Sequence, residues 1–577
     1  MDACRENNFR FWRANRKAKQ RMKLEQQYQA LYQAYAEQRP AQPGLAELCA
    51  LWNCSERNAR LQLAKMRERG WLAWEPGRGR GRKSRLSLLC APEQLEWQRQ
   101  QQLLRDGKLE QAFARLSAQR RAQLLAALPQ YLGSAAQGRC LRIPIPHPPL
   151  SLDPLHVSGR LESHLVRQIF DRLCRFDRGL QSLQGGLAHH WESDAAARRW
   201  RFWLRPGLQF HDGTPLQSDA AAVSLLRLRE AGNPYQVQYR HLRAVDIHDP
   251  LSFSCQLDDG DFLWPQRLAT ANSSIAPLRR GADFERLPVG SGPFRVSRHS
   301  EQRLGLTAFA HHYRERALLD EIELWFIPNC DDGQDFHLRL DYANDGSDGT
   351  LQSACTYLLL NPDWAGSERA PLMRWLAEPA LVQPNDPLQT PALGLLPGWR
   401  HPLPQAQRRP RLERTRLRLF HYDLPSFPPL AAAIRQRLAG LSIELEIHAL
   451  SRRAFFHDQD WWSQADLMLC SEVLHDDRDY SCHEWLGTRQ PLQRGLDAAT
   501  QARLNAQLRD IQRQPDTSLR MAGYAAIGDW LCAEGWVLPL SHERQGHQAS
   551  PRLAGLQMSE NGWTDFASLW LRPEQSG

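Results

Sequence analysis

After Lys108 this 577-residue chain contains no lysine. That absence excludes a phosphate-cradling P-loop lysine and a Schiff-base lysine from everything that follows. Any anion held there must be met by arginine, histidine, helix N-termini or backbone amides. A bias toward arginine codons is the ordinary cause of such an absence, and the constraint on chemistry holds regardless. No apolar run approaches the roughly 18 residues of a membrane span, so no membrane partner is expected. The 12 cysteines are scattered without a C-x-x-C pair, which points to neither a zinc site nor a disulfide frame. Catalytic patterns are missing too. His542-Glu543-Arg544-Gln545-Gly546-His547 approaches H-E-x-x-H, but its second histidine is one residue too far to share a helix face. Gly290-Ser291-Gly292 lacks the spacing of a nucleophile elbow. The doublets His189-His190 and His311-His312 point neighbours to different faces. The expectation is a non-enzyme with no catalytic residue, no metal and no cofactor.

What is present is an uneven charge. Residues 1–90 hold 19 Lys+Arg against 8 Asp+Glu, a net of +11. The other 487 residues hold 54 against 56, so the overall +9 is a local property. A basic module joined to a nearly neutral body suggests a polyanion-binding head.

Residues 1–23 are basic and non-periodic and read as a flexible arm. From residue 24 to 90 the pattern is foldable. Leu24, Tyr28, Leu31 and Tyr35 recur at helical spacing, and Pro40, Pro43 and Gly44 end that helix. A short helix follows with Leu45, Leu48 and Leu51 facing inward. After the turn Trp52-Asn53-Cys54, Ser55 is placed to cap a third helix by accepting from its exposed N–H groups. Ala59, Leu63 and Met66 form that helix's inner face, while Arg57, Asn58 and Arg60 point elsewhere. Trp71-Leu72-Ala73-Trp74 reads as a strand, and Ser84 to Leu89 as its return, around a Gly/Arg-rich turn. Three helices and a basic hairpin predict a winged helix-turn-helix. Cys49 and Cys54 read as packed within it.

The chemistry suits double-stranded DNA. A helix fits the major groove, where Arg and Asn make bidentate contacts to guanine and adenine. The predicted DNA-binding residues are Ser55, Arg57, Asn58 and Arg60 on the third helix, with Arg78, Arg80, Arg82 and Lys83 at the hairpin tip. The tip's glycines allow close approach to phosphates and its basic side chains supply charge. A winged helix used for protein or RNA contacts is the blander alternative.

Residues 91–139 carry Leu95, Leu103, Leu104, Leu109, Phe113, Leu116, Leu124, Leu125 and Leu128 at helical spacing. They read as a helical connector packing on one of its neighbours. Near Cys140 the texture changes. Pro144, Pro146, Pro148 and Pro149 mark a boundary, and residues 140–577 are long enough for two lobes. Of the 20 tryptophans, Trp364, Trp399, Trp461, Trp462 and Trp563 are candidates to stack on a ligand, each read first as packing. The ligand-binding residues themselves are unknown from sequence.

Several phrases in the body carry a resemblance. Ser151-Leu152-Asp153-Pro154 looks like the opening "LDP" of family 5 extracytoplasmic solute-binding proteins. Gly186-Leu187-Ala188-His189-His190-Trp191-Glu192, followed by the run from Trp200 to Leu216 containing Leu204-Arg205-Pro206-Gly207 and Phe210-His211-Asp212-Gly213, is close to that family's signature. Pro288-Val289-Gly290-Ser291-Gly292-Pro293-Phe294 resembles its second phrase, and Gly562-Trp563-Thr564-Asp565-Phe566 its closing region. The phrases identify a fold and name no ligand. Taken whole, the chain resembles the SgrR family of bacterial transcriptional regulators. In the head the resemblance rests on Leu45-Ala46-Glu47-Leu48, Asn53-Cys54-Ser55, Arg69 to Glu75 and Gly79 to Leu86. The fold class implied is multidomain: a winged helix-turn-helix head, then a two-lobed α/β periplasmic-binding-protein-like domain of type II, family 5. The function implied is a cytoplasmic sensor of sugar-phosphate stress that activates a small-RNA gene and represses its own. Its partners would be promoter operator DNA and a small solute, a sugar phosphate or a peptide. The competing reading is an oligopeptide or solute receptor for an ABC transporter. It requires export, and the N-terminus offers a basic module where a signal is needed.

Overall fold

The computed structural model describes residues 24–37, 40–77, 84–105, 109–113, 116–127, 139–157, 159–230, 232–233, 235–327, 336–340, 350–383, 386, 389–405, 409–458, 460–488, 490–559 and 562–573. The basic arm, and the hairpin-tip residues Arg78, Arg80, Arg82 and Lys83, lie outside them. The chain divides into two compact units, Met1–Ala135 and Ala136–Gly577.

In the first unit, α1 (24–35) is followed by α2 (Leu45–Trp52), α3 (Glu56–Glu68), β1 (Leu72–Glu75) and β2 (Arg85–Leu88). Leu24, Tyr28, Leu31, Leu48, Ala59, Leu63 and Met66 are buried in one core with Leu72 and Leu86 from the hairpin. One expectation is corrected. Leu51 is 37% exposed and its neighbour Trp52 is buried in its place. Four residues bring a helix nearly back onto one face, so Trp52 falls below Leu48 where Leu51 does not. The Trp52 indole N–H also donates to Gln27 O at 2.9 Å, fixing it against α1. Asn53 then takes φ +48, which ends α2 and aims the chain into α3.

Beyond β2 come α4 (Pro92–Arg105), α5 (Leu109–Phe113) and α6 (Ala118–Ala127). The connector packs on the head. Leu95 rests on the head core, and Arg99 pairs with Glu25 at 2.9 Å. The Tyr28 hydroxyl lies 2.7 Å from Trp71 O and 2.6 Å from Cys90 O, its one proton shared between them, tying α1 to the strand pair and to the start of the connector.

The second unit has three apolar cores. One surrounds a four-stranded sheet in the order Phe294–His299, Arg303–Ala308, Glu321–Phe326, Cys140–Ile145, whose last pair is parallel. A second surrounds the antiparallel sheet Ala188–Ser193, Arg199–Leu204, Ser252–Leu257, Leu242–Asp249. Together they form a first lobe. The third core belongs to a second lobe built on a seven-stranded mixed sheet. There Arg416–Tyr422 pairs in parallel with Glu444–Leu450 and Leu467–Val473, and helix Phe427–Ala439 makes the crossover. The chain then returns: Leu553, Trp563, Phe566 and Leu569 complete the first core.

The signature phrases hold this frame together. Phe202 and Phe210 are buried. Asp212-Gly213 turns the chain with Gly213 at φ +85, and Asp212 Oδ1 accepts from Thr214 N–H at 3.0 Å. His211 joins two phrases: its Nδ1 accepts from Gly290 N–H at 3.2 Å and its Nε2–H donates to Gly292 O at 3.0 Å. Gly290 and Gly292 lie so close to helix Arg160–Ile169 that added Cβ atoms would stand 2.0 Å from Ile169 O and 2.7 Å from Gln168 O. His542 and Glu543 of the near H-E-x-x-H phrase lie on a strand, where His542 Nδ1 bonds Ala354 O at 2.7 Å.

Burial pushes the His211 pKa down to about 4 and those of His164 and His483 down to about 3. All three fall below the unfolded value of about 6.5, so the unfolded chain takes up protons first as pH falls. Their contribution is complete above pH 6.5 and is lost downward, toward about pH 4 for His211 and about pH 3 for His164 and His483, at about 1.4 kcal/mol per pH unit for each ring. His164 stacks on Trp563 at 4.5 Å, and its Nε2 has no partner among the described residues. The variant His164→Phe keeps a flat ring there. Urea unfolding at pH 7 and pH 5 should show a smaller pH loss for the variant than for the parent. Equal losses would contradict the assignment.

Candidate functional site

The first site is the exposed face of α3. Ser55 accepts at Oγ from Asn58 N–H at 3.4 Å, the capping role read from sequence. Arg57 is exposed. Arg60 is exposed and pairs with Glu56 across one turn at 3.4 Å, a solvent-exposed pair of little energetic weight. Asn58 is half-buried, and its Oδ1 accepts from Gln62 Nε2 at 3.2 Å. A groove of about 420 Å³ runs between α3 and the hairpin, with Arg60, Arg67, Trp74 and Gly77 on its walls. Arg67 was missed in the sequence reading. Its seven-residue spacing from Arg60 is the signal that places both on one helix face.

The second site is a cavity of about 430 Å³ within the body, lined by both lobes. The first lobe contributes Ser151, Gly159, Arg160, Ser163, Tyr235 and Asn272. The second contributes Tyr422, Arg452, Phe456, Ser471, Glu472, His475, Glu484 and Glu543. None of the five tryptophans singled out as ligand candidates lines it. Trp364, Trp461 and Trp563 are buried in the lobe cores, and Trp399 and Trp462 pack against the second-lobe core. The cavity's aromatic walls are Tyr235, Tyr422 and Phe456 instead.

The polar wall is ordered by the protein itself. Glu543 Oε1 accepts from Ser426 Oγ at 3.2 Å, Thr356 Oγ1 at 3.3 Å and Ser471 Oγ at 3.4 Å. Glu484 accepts from Gln238 Nε2 at 3.0 Å and lies 3.9 Å from His475 Nε2. Arg160 donates to Gln352 Oε1 at 3.3 Å. Gln352 donates on to Gln545, which donates to Gly562 O at 3.1 Å. Burial lowers the Arg160 pKa, and the Glu543 carboxylate opposes that effect. Burial also drives the Tyr422 phenol above its ordinary range. Among the described residues no group of three His, Cys, Asp or Glu is placed to hold a metal ion. No described helix is long and apolar enough to cross a membrane.

Comparison with known proteins agrees with both halves. The family described as "Sugar transport-related sRNA regulator N-term" matches residues 23–138. "Bacterial extracellular solute-binding proteins, family 5 Middle" matches residues 182–334. Among solved structures, the murein tripeptide binding protein MppA of Escherichia coli superposes with a TM-score of 0.62 at 15% identity, over 76% of this chain and 99% of that one. The Bacillus subtilis oligopeptide-binding protein AppA, solved with a nonapeptide, gives 0.64 at 15%, over 75% and 99%. At such identities these show the fold alone. The HTH-type transcriptional regulator SgrR of Yersinia enterocolitica is 29% identical over 573 residues, covering 96% of this chain and 99% of that protein. The SgrR protein of Escherichia coli O1:K1 is 30% identical over 574 residues with the same coverage. A winged-helix head and a two-lobed solute-binding body, matched end to end by such relatives, place the sequence without ambiguity: the chain belongs to the SgrR family of HTH-type transcriptional regulators.

Proposed function

We propose that this regulator works in the cytoplasm as a one-component switch: the head binds promoter duplex, and a sugar phosphate held in the body cavity changes that binding. The observation that carries the reading is the presence, in one chain, of a basic winged helix and a cavity walled by hydrogen-bond acceptors, aromatic rings and arginine. Arg57, Asn58 and Arg60 read base edges, Ser55 holds the helix start, and Arg78, Arg80, Arg82 and Lys83 grip phosphates. Carboxylates such as Glu543 and Glu484 accept sugar hydroxyls, and Tyr422 and Phe456 offer ring faces. A solute that prefers one arrangement of the body shifts the population of the whole chain toward it. Peptides are the second reading of the solute, favoured by the likeness of the body to AppA, which was solved with a nonapeptide.

Fluorescence anisotropy of labelled promoter duplex with the full chain tests the reading. Saturating hexose 6-phosphate should change the DNA affinity about 5–150-fold, the usual span of allosteric coupling, and DNA should change the solute's affinity by the same factor. An unchanged DNA affinity at saturation would overturn it.

A further inference from the structure

We propose that Leu61, on the outer face of α3, is a specificity-determining residue of the head and packs against the C5 methyl group of a thymine in the major groove. The proposal rests on the DNA-binding reading of the head and names a contact that none of the polar residues assigned to that helix makes.

Three large apolar side chains belong to α3. Leu63 and Met66 are buried, whereas Leu61 is 50% exposed. Leu61 lies two positions before Leu63, about 200° around the helix, and so points away from the head core that Leu63 fills. A lone leucine on a surface is ordinary, and what marks this one is its company. Arg57 stands one turn before it and Lys65 one turn after it, with Arg60, Ala64 and Arg67 along the neighbouring row, and all five are exposed. Among the described residues Arg57, Lys65 and Arg67 have no ion-pair partner. The two acids of the helix, Glu56 and Glu68, are its first and last residues. The face between them is cationic with an apolar centre.

That pattern matches a major groove. Phosphates rim the groove, and the thymine methyl is the apolar group that its base edges present. Charge complementarity singles out this occupant. An apolar protein surface laid over Leu61 would leave Arg57, Arg60, Lys65 and Arg67 without counter-charge, whereas a duplex supplies it on both sides. Ala64, three residues on, adds only a methyl group, so the helix can lie close to the bases at that point. Leu61 stands about 6 Å along the helix from Arg57, which is about two base-pair steps. The thymine it reads therefore falls within about two base pairs of the base read by Arg57.

Selection of binding sites from a random duplex library by the full chain, followed by anisotropy on the selected duplex, tests the contact. Each thymine of the selected motif is replaced in turn by deoxyuridine, which removes the C5 methyl group and nothing else. At one thymine, within about two base pairs of the position relaxed by R57A, the change should weaken the parent chain about fourfold, the worth of one methyl group withdrawn from water. L61A should bind the thymine and deoxyuridine duplexes equally, and L61M should keep the parent's preference. Leu61 lies outside the buried core, so the unfolding midpoint of L61A should match the parent's, and the deoxyuridine series on the parent chain needs no variant. A motif without thymine, or a parent affinity unchanged at every deoxyuridine, overturns the contact and leaves the DNA-binding reading standing. A loss on deoxyuridine that L61A shares in full gives the methyl contact to another side chain and overturns the role of Leu61. No enrichment of any sequence by the parent chain overturns both.

Discussion

Raising salt from about 50 to 200 mM should weaken duplex binding by the full chain about 10³–10⁵-fold, the loss that accompanies roughly six to ten phosphate contacts. The cause is counterion release driven by the net +11 of residues 1–90. Substitutions divide by role. R57A or R60A should remove about 1–3 kcal/mol at one position of the operator and relax preference there, because those side chains face outward near the start of α3. R80A and R82A should weaken all sequences alike and lower the salt slope by about one each. R67A, on the groove between α3 and the hairpin, belongs with the second group. Gel shifts over a salt series with operator and scrambled duplexes separate these outcomes. A flat salt response would refute the DNA-binding assignment. An isolated head should run to Ala135 and include the connector. A fragment cut at residue 90 would remove Leu95 from the head core and Arg99 from its exposed pair with Glu25.

Breaking the ion pair between Arg520 and Asp479 should cost about 3–5 kcal/mol of body stability, the loss typical of a buried charge left alone. Arg520 is 2% exposed. Its Nε and Nη2 reach Asp479 Oδ2 at 2.9 and 2.6 Å, and it also donates to Gln514 O and Thr517 Oγ1. The pair pins helix Arg478–Thr488 to helix Thr517–Ala533. R520A leaves the Asp479 carboxylate buried without its cation. Replacing both partners by leucine removes the uncompensated charge and should recover most of the loss. The exposed pair Arg416–Glu444 is the control, and R416A should leave the unfolding midpoint unchanged. Denaturant unfolding of the four proteins decides the matter. An R520A midpoint equal to the parent's would sink the argument.

The head was legible because its information is local. Leu24, Tyr28 and Leu31 repeat on one helical face, and Ser55 sits where an α3 cap is needed, so spacing alone places them. Leu51 and Trp52 are the exception, because on so short a helix the third and the fourth residue after Leu48 fit the apolar spacing equally well and only packing against α1 separates them. The body's frame was legible through phrases whose residues touch each other, as His211 touches Gly290 and Gly292. The cavity was not. Arg160, Gln352, Arg452 and Glu543 are scattered over nearly 400 positions, and no periodicity links them. The tryptophans drew notice by type, yet large apolar surface belongs in cores, and three of the five are buried there.

The return of the chain to the first lobe has a consequence for biosynthesis. The core around Cys140–Ile145 and Glu321–Phe326 lacks Leu553, Trp563, Phe566 and Leu569 until residues 553–569 have left the ribosome. The lobe translated first is thus the last to be finished, whereas the second-lobe core, drawn from residues 355–540, is complete earlier. During that interval the nascent chain carries an open apolar seam that chaperones or neighbouring chains can occupy. A stop codon between residues 546 and 552 would leave the second-lobe core intact and the seam unfilled.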